Sequence, residues 1–334
     1  MKRPWLAPLT PLYAAGQALL NLLLGTSLEP VERLRWPVIS IGNLSTGGAG
    51  KTPLTIALVK ALSARGIQID VLSRGYGRQN SFPTRVLPEG SADDYGDEPL
   101  LIARETGVPV YVAAKRYQAG VLAEADRPDS NALAVHLLDD GFQHRRLHRD
   151  VDILLINRED WGDSLLPAGN LREPRRAARR ATVIAIPADD PALADELRSW
   201  GWQGPIWRLK RTMEVPDATG PVVAFCGIAR PEQFFAGLET AGIQIAHRLA
   251  FRDHFRYRTA DLNDLIDIAT LPGLGVSALI TTEKDLIRLG NLTSTFPTSI
   301  ALHTARLRIE IENEPAAIDW LLGRLNPAPP HPPL

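Results

Sequence analysis

The sequence predicts an α/β fold: a mostly parallel sheet covered by helices, a second and smaller α/β unit after it, and an apolar helix at the amino terminus. Three observations lead there. Short apolar runs alternate with helical patterns from WPVISIG through TPLTIALVKALSARG, IQIDVLS, VPVYVAAKRYQAGVLAEA, NALAVHLLDD, VDILLIN and TVIAIPA, as they do where crossover helices join parallel strands. A second series of the same kind follows PIWRLKR: PVVAFCGI, PEQFFAGLETAG, IQIAHRLAF, TADLNDLIDIATL, SALITT and EKDLIRL. With 334 residues, 45% of them hydrophobic, the chain can fill two cores. The change of series puts a boundary near residues 205 to 220, dividing the chain into 1–30, 31–210, 211–325 and a Pro-rich, extended tail at 326–334.

Charge is balanced, 37 basic residues against 38 acidic, so no global field draws nucleic acid to the surface, and electrostatic function must sit in local clusters. The single cysteine, Cys226, lies in the apolar run VVAFCGI and reads as a core side chain. No repeat of fixed period is present, which excludes a solenoid.

From Trp5 to Leu28 there is no charged residue, and Lys2, Arg3, Arg33 and Arg35 flank the stretch. Pro4, Pro8 and Pro11 oppose a regular helix before about residue 11, so the remainder, ending near Gly25, covers about 20 Å at 1.5 Å per residue. That is short for a bilayer span. Tyr13, Gln17 and Asn21 recur every four residues as a polar stripe, leaving Leu12, Leu19, Leu20, Leu22, Leu23 and Leu24 around the rest of the helix. A helix lying in a membrane interface suits this pattern, and a helix buried against the domain also fits it. A cleaved signal peptide does not suit a chain whose next motif needs a cytoplasmic nucleotide.

That motif is IGNLSTGGAGKTPLTIALV, a Gly-rich turn between a strand and a helix. Gly47, Gly48 and Gly50 let backbone N–H groups converge on phosphate oxygens across Ser45, Thr46 and Ala49, and the helix adds its positive end. Lys51 is then placed to bridge β- and γ-phosphates, and the Thr52 hydroxyl to ligate Mg²⁺. Ser45 stands where the strict pattern G-x-x-x-x-G-K-[ST] has glycine. The loop also resembles the K-G-G-x-G-K-[ST] form of partitioning and metal-insertion NTPases, but Thr46 replaces their additional lysine.

Asp139 and Asp140 end the apolar run NALAVHLLDD, where a carboxylate in such a fold holds Mg²⁺ beside the phosphates. Asp97 and Glu98, in YGDEPLLIARE, lead into a helix; Asp97 fits an N-cap and equally a general base for a hydroxyl, and the bare sequence does not rank it above Asp93, Asp94 or Asp163. Arg172, Arg175, Arg176, Arg179 and Arg180 follow helical spacings of three and four, giving a cationic face for a phosphate or acidic headgroups, or a solvated basic face. His144 and His148, four apart, have no third close ligand for zinc. His254 in FRDHFRY is by itself an ordinary loop histidine.

Taken together, GNLSTGGAGKTP, LSRGYGR, GDEP, DDGFQHRRLHRD, LLPAGNLREP, FCGIARPEQFF, the DHF triplet and TTEKDLIRL resemble, in order and over nearly the whole chain, the tetraacyldisaccharide 4′-kinase family, the lipid A 4′-kinases. The resemblance implies transfer of the ATP γ-phosphate to the 4′-hydroxyl of a tetraacyl disaccharide 1-phosphate. It implies ATP and Mg²⁺ as cofactors and a peripheral or monotopic place on the cytoplasmic face of the inner membrane. It implies a P-loop NTPase-like domain hinged to a smaller α/β domain, with no obligate protein partner and no nucleic acid. Carried over by motif, Asp97 resembles the catalytic base and His254 its partner across the cleft. Thr52, Asp139, Asp140 and Glu173 resemble the Mg²⁺ and phosphate set, and Arg116, His144 and Arg172 the substrate or charge-stabilising contacts. The competing expectation is a membrane-associated P-loop NTPase switch acting on a protein partner, which the missing lysine at Thr46 disfavours.

Overall fold

The computed structural model describes residues 3–23, 26, 30–127, 133–218, 220–271 and 275–325, so the expected tail lies outside the described residues. After a 3-10 segment at Pro4–Leu9, α1 runs over Thr10–Leu23, starting where the proline spacing allows it. Among the described residues no helix is long and apolar enough to cross a membrane. The first series then gives β1 (Val38–Asn43), α2 (Lys51–Ala64), β2 (Gln68–Ser73), β3 (Thr84–Arg85), α3 (Ala92–Tyr95), α4 (Asp97–Thr106), β4 (Val110–Val112) and α5 (Arg116–Ala125). It continues with β5 (Ala134–Asp139), β6 (Val151–Leu155), α6 (Arg158–Trp161), β7 (Val183–Pro187), α7 (Pro191–Ser199) and β8 (Ile206–Glu214). The second gives β9 (Val222–Cys226), α8 (Pro231–Thr240), β10 (Ile245–Ala250), α9 (Thr259–Ala269), β11 (Ala278–Thr282), α10 (Glu283–Leu289), β12 (Ala301–Ile311) and α11 (Glu314–Leu322).

These strands form a 12-stranded sheet in the order β10-β9-β11-β12-β8-β7-β6-β1-β5-β2-β4-β3. Pairing is parallel except at the β3–β4 edge and at the seam between β8 and β12. The expected boundary falls on β8, which is parallel to β7 on one side and antiparallel to β12 on the other. β1 lies between β5 and β6, and Ile39, Ile41, Val135, Leu137, Val151 and Ile153 on these three strands are fully buried. Helices on both faces explain why such strands read as unbroken apolar runs. The carboxyl ends of β1 and β5 therefore open at one edge, where parallel sheets hold their ligands. The terminal α11 returns to the first half: Arg65 meets Asp319 at 2.6 Å, and Trp207 and Trp320 stand edge to face at 6.2 Å. Cys226 is buried in β9, and burial pushes its thiol up to about 12, in keeping with a core side chain.

One buried charge cluster lies away from that edge. His136 on β5 contacts Asp70 at 2.7 Å and Glu124 at 3.3 Å, and Trp36 covers the ring at 5.1 Å between centroids. Burial by itself lowers the proton affinity of His136, but Asp70 and then Glu124 outweigh it and raise the pKa to about 9. The folded value lies above the ordinary imidazole value of about 6.5, so this stabilisation is complete below about pH 6.5 and is lost as pH rises through about 9. Urea midpoints measured from pH 6 to 10 are expected to fall across that window, and His136→Gln to flatten the fall. Equal slopes in the two proteins would mean that the cluster is not ionised as described.

Candidate active site

The chain leaves β1 at Asn43 and turns through the Gly-rich loop into α2. Gly47 and Gly50 take φ of 112° and 90°, a left-handed conformation that a side chain resists. Gly50 caps α2, so Lys51 and Thr52 occupy its first turn with the positive helix end behind them. The loop is laced to the LREP segment: the Thr46 N–H donates to Asn170 O at 2.8 Å and the Arg172 N–H to Leu44 O at 2.7 Å. Ser45, the departure from the strict motif, is buried and donates from Oγ to Asp160 Oδ2 at 2.7 Å. Asp160 also accepts Arg230 Nη2 at 2.6 Å.

Asn43 Oδ1 gathers the cations of the loop, accepting Lys51 Nζ at 3.0 Å and Arg172 Nη2 at 2.6 Å. The same two cations reach Asp140, at 3.4 and 3.0 Å. Burial pushes the Asp140 carboxyl up, but Lys51 and Arg172 outweigh burial and hold it well below the usual carboxylate range. Asp139 accepts Thr55 Oγ1 at 3.1 Å; burial, then Glu98 and Asp140, push its carboxyl up to about 7. A buried carboxyl short of positive charge, together with the buried Thr52 hydroxyl, is a hard oxygen donor set that fits Mg²⁺, which takes one or two protein oxygens and completes its shell with water and phosphate. Glu173 instead pairs with Arg180 at 2.9 Å, and among the described residues no three His, Cys, Asp or Glu side chains gather as a metal cage.

Arg116 opens α5 and is buried; burial, then Arg74, lowers its pKa to about 10, while Asp140 and Asp139 oppose the shift. His144 is pushed down to about 4 by burial and then by Arg116, Arg149, Arg146 and Arg74. The two therefore share one cationic neighbourhood, with His144 neutral. The run from Arg172 to Arg180 does not form one α-helical face. Pro174 precedes a 3-10 segment at Arg175–Arg180, and Arg175, Arg179 and Arg180 lie over Trp161, Trp200 and Phe142 at 5.5, 5.0 and 4.6 Å. His144 and His148 sit in irregular backbone rather than a helix, and His148 faces Asp150 at 3.5 Å.

The third part of the cleft comes from both halves of the chain. Asp97 begins α4, is buried, and its Oδ2 lies 3.1 Å from His254 Nδ1. His254 takes a φ of 55°, an unusual left-handed backbone for a histidine, and its ring lies against that of Tyr76, tilted by 53°, at 4.9 Å between centroids. Burial pushes the Asp97 carboxyl up, but the His254 hydrogen bond, Arg288 and Lys284 outweigh burial and hold it well below the usual range. The Asp97 bond raises His254 in turn, against burial. Glu98 ties this pair to the phosphate loop, because the charges of Lys284 and Lys51 both act on Glu98 and on Asp139. Sequence reasoning missed Asn43, Asp160, Arg230, Lys284 and Arg288; only the last two carried a signal, a four-residue spacing on one helical face inside TTEKDLIRL.

The amino-terminal segment reaches the same edge, with the Tyr13 hydroxyl donating to Arg172 O at 2.9 Å and the Arg3 N–H to Ala168 O at 2.7 Å. Trp5, Leu12 and Leu22 are nevertheless 75%, 74% and 76% exposed.

Phosphate groups are what such a loop and helix end accommodate, and the parallel sheet around them defines an enzyme of the P-loop class. The chain belongs to the tetraacyldisaccharide-1-P 4′-kinase family, whose model, LpxK, matches residues 2–326. It is 39% identical over 326 residues to the tetraacyldisaccharide 4′-kinase of Koribacter versatilis (strain Ellin345), covering 94% of this chain and 97% of that protein. The enzyme of that name from Neisseria meningitidis is 36% identical over 299 residues, with 86% and 83% covered. The solved structure of LpxK from Aquifex aeolicus in complex with ATP superposes with a TM-score of 0.71 at 30% identity, over 96% of this chain and 98% of that one.

Asp160 joins Ser45 of the loop to Arg230 of the second half, so Asp160→Ala is expected to weaken ATP binding about tenfold, equivalent to about 1.4 kcal/mol, in titration calorimetry. Unaltered affinity would show that the loop holds its shape without this link.

Proposed function

We propose that the chain transfers the γ-phosphate of ATP to the 4′-hydroxyl of a tetraacyl disaccharide 1-phosphate, working at the cytoplasmic face of the inner membrane. The observation that carries the reading is a carboxylate–imidazole pair, Asp97 and His254, in the same electrostatic cleft as Lys51 of the phosphate loop. A hydrolytic switch has no need of an acceptor for a substrate hydroxyl proton; a kinase does. The names of the relatives supply the acceptor, and the family membership of the whole chain supports its transfer to this protein.

Lys51, held at the loop by Asn43 and Asp140, would exchange these contacts for the β- and γ-phosphates, and Arg172 and Arg116 add positive charge at the same edge. Mg²⁺, held by Thr52 with Asp139 and Asp140, would neutralise phosphate oxygens there. Asp97 is a poor proton acceptor with His254, Arg288 and Lys284 around it, so the ring is the end of the pair that takes the proton. Its Nδ1 donates to Asp97, which leaves Nε2 to accept from the hydroxyl. Asp97 orients the ring and stabilises its charged form, so the two act as one base. Exposed Trp5, Leu9, Leu12, Leu19 and Leu22 fit an interfacial helix that brings the acyl chains to this edge. The seam of β8 and β12 is the natural hinge between the halves.

The test is transfer of labelled γ-phosphate from Mg·ATP to the disaccharide lipid in detergent micelles. Wild type is expected to label the lipid, and Asp97→Ala and His254→Ala each to lose about three decades of kcat with ATP affinity largely kept, within the usual span of acid–base help. Label released only as inorganic phosphate, with or without lipid, would favour the NTPase switch. Because burial, Glu98 and Asp140 push the Asp139 carboxyl up to about 7, Mg²⁺ binding at pH 6.5 is expected to release a proton, read as a dependence of the calorimetric heat on buffer ionisation enthalpy. Asp139→Asn should abolish that dependence; its persistence would remove Asp139 from the Mg²⁺ set.

A further inference from the structure

We propose that Arg288 is a positioning residue for the proton-accepting pair: it reaches from α10 to fix Asp97 against His254 and sets how readily His254 takes a proton. The inference rests on the functional reading above, and it gives TTEKDLIRL a task that neither the loop nor the acids explain.

The geometry is that of a braced side chain. Arg288 is 6% exposed and donates from Nε to Asp97 Oδ2 at 2.6 Å, with Nη2 on the same carboxylate oxygen. That oxygen is also the one facing His254 Nδ1. Arg288 Nη1 donates to Gly227 O at 2.5 Å and to Asp285 Oδ1 at 3.0 Å. The His254 N–H donates to the same Gly227 O at 3.1 Å, so one carbonyl registers both residues against each other. Asp285 is fully buried and pinned: its Oδ1 accepts the Gly227 N–H and the Tyr257 hydroxyl, each at 3.0 Å, and its Oδ2 accepts the Thr282 hydroxyl at 2.6 Å. Arg288 has no freedom to swing, and an arginine held this way imposes direction on the carboxylate that it meets.

Charge gives the position a consequence. His254 faces Asp97 from α4, Arg288 from α10, the ring of Tyr76 from the loop after β2 and its own neighbour Asp253; Lys284 acts on it through Asp97. Asp97 favours the charged ring, whereas Arg288, with Nη2 3.5 Å from Nδ1, disfavours it. Without the guanidinium, Asp97 would attract the ring proton unopposed and the ring would stay charged to higher pH, unable to act as base. Arg288 thus offsets part of the pairing and limits how far Asp97 raises the ring.

The full chain is studied as wild type, Arg288→Gln and Arg288→Lys. Histidine is ¹³C-labelled so that the His254 ring titration is read by NMR without substrate, with His254→Gln for assignment. Arg288→Gln is expected to move that titration upward, to move the acidic limb of kcat upward with it, and to lower the plateau kcat at least about tenfold while KM for ATP changes less than about threefold. Arg288→Lys, which keeps the charge and loses the fork, should titrate near wild type yet lose kcat. An unmoved His254 titration in folded Arg288→Gln overturns the inference. Should that variant not fold, undiminished kcat in Arg288→Lys overturns it instead. Absence of lipid phosphorylation by wild type, with the titration still shifted, defeats the functional reading and leaves the role of Arg288 at the pair standing.

Discussion

Taking a carboxylate or guanidinium out of water costs several kcal/mol unless a partner replaces its hydration, and this cleft takes out many at once. Asp97, Asp139, Arg116, Asp160, Glu173 and Asp285 are all buried. Asp97, Asp160, Glu173 and Asp285 each meet an arginine, and such pairings decide where the loops run. Asp160 holds Ser45 and Arg230, so the phosphate loop cannot drift from the second half of the chain. Asp140 and Asn43 hold Lys51 and Arg172, so the LREP segment lies along the loop. Asp139 lacks a sufficient cation of its own, and it is the group whose proton affinity is raised.

The pairings between the two halves have a common sense. Asp97, Glu98, Asp160 and Asp93 belong to the first half, while their partners Arg288, Lys284, Arg230 and Arg256 belong to the second. In these four pairs an acid of the first half faces a base of the second, which favours one relative placement of the halves over its competitors; Arg65 with Asp319 on α11 is the exception in polarity. The seam of β8 and β12 supplies the backbone hydrogen bonds of that arrangement, in an antiparallel register from Leu209 with Ile311 to Glu214 with Arg306 within the sheet on which both halves stand.

The strands and helices were legible in the sequence because both faces of the sheet are covered, which turns β1, β5 and β6 into unbroken apolar runs between helical patterns. The phosphate loop was legible because its chemistry is local: Gly47, Gly50 and Lys51 act through one turn and the helix that follows. Asp97 and His254 could be paired only by resemblance, as 157 residues separate them and neither spacing nor composition reports a contact at that range. Arg175, Arg179 and Arg180 misled for the opposite reason. Their spacing is compatible with a helical face, but the aromatic rings that receive them come from elsewhere in the chain, and Pro174 turns the segment into a tighter helix. Asn43, at the buried end of β1, looked like any strand terminus; its role comes from two cations converging on one amide oxygen, a three-dimensional fact with no linear trace.

Neighbouring groups with opposite shifts are the usual sign of divided labour in a site. Here they occur twice. Asp140 is kept ionised by its cations while burial and its acidic neighbours raise adjacent Asp139, so one carboxylate organises the loop and the other is short of positive charge. Asp97 is kept ionised while His254 is made more basic, the division that the proposed function assigns to an orienting and an accepting group. The second division depends on a contact between halves that only β8, the sheet seam and the opposed charges bring together. His254 and Arg288 both come from beyond that seam. Without those two neighbours Asp97 would be an ordinary carboxylate at a helix start; with them it is held ionised beside an imidazole that it makes more basic. The proton-accepting pair proposed above is thus built from both halves of the chain, as is the bracing of the phosphate loop, where Asp160 joins Ser45 to Arg230.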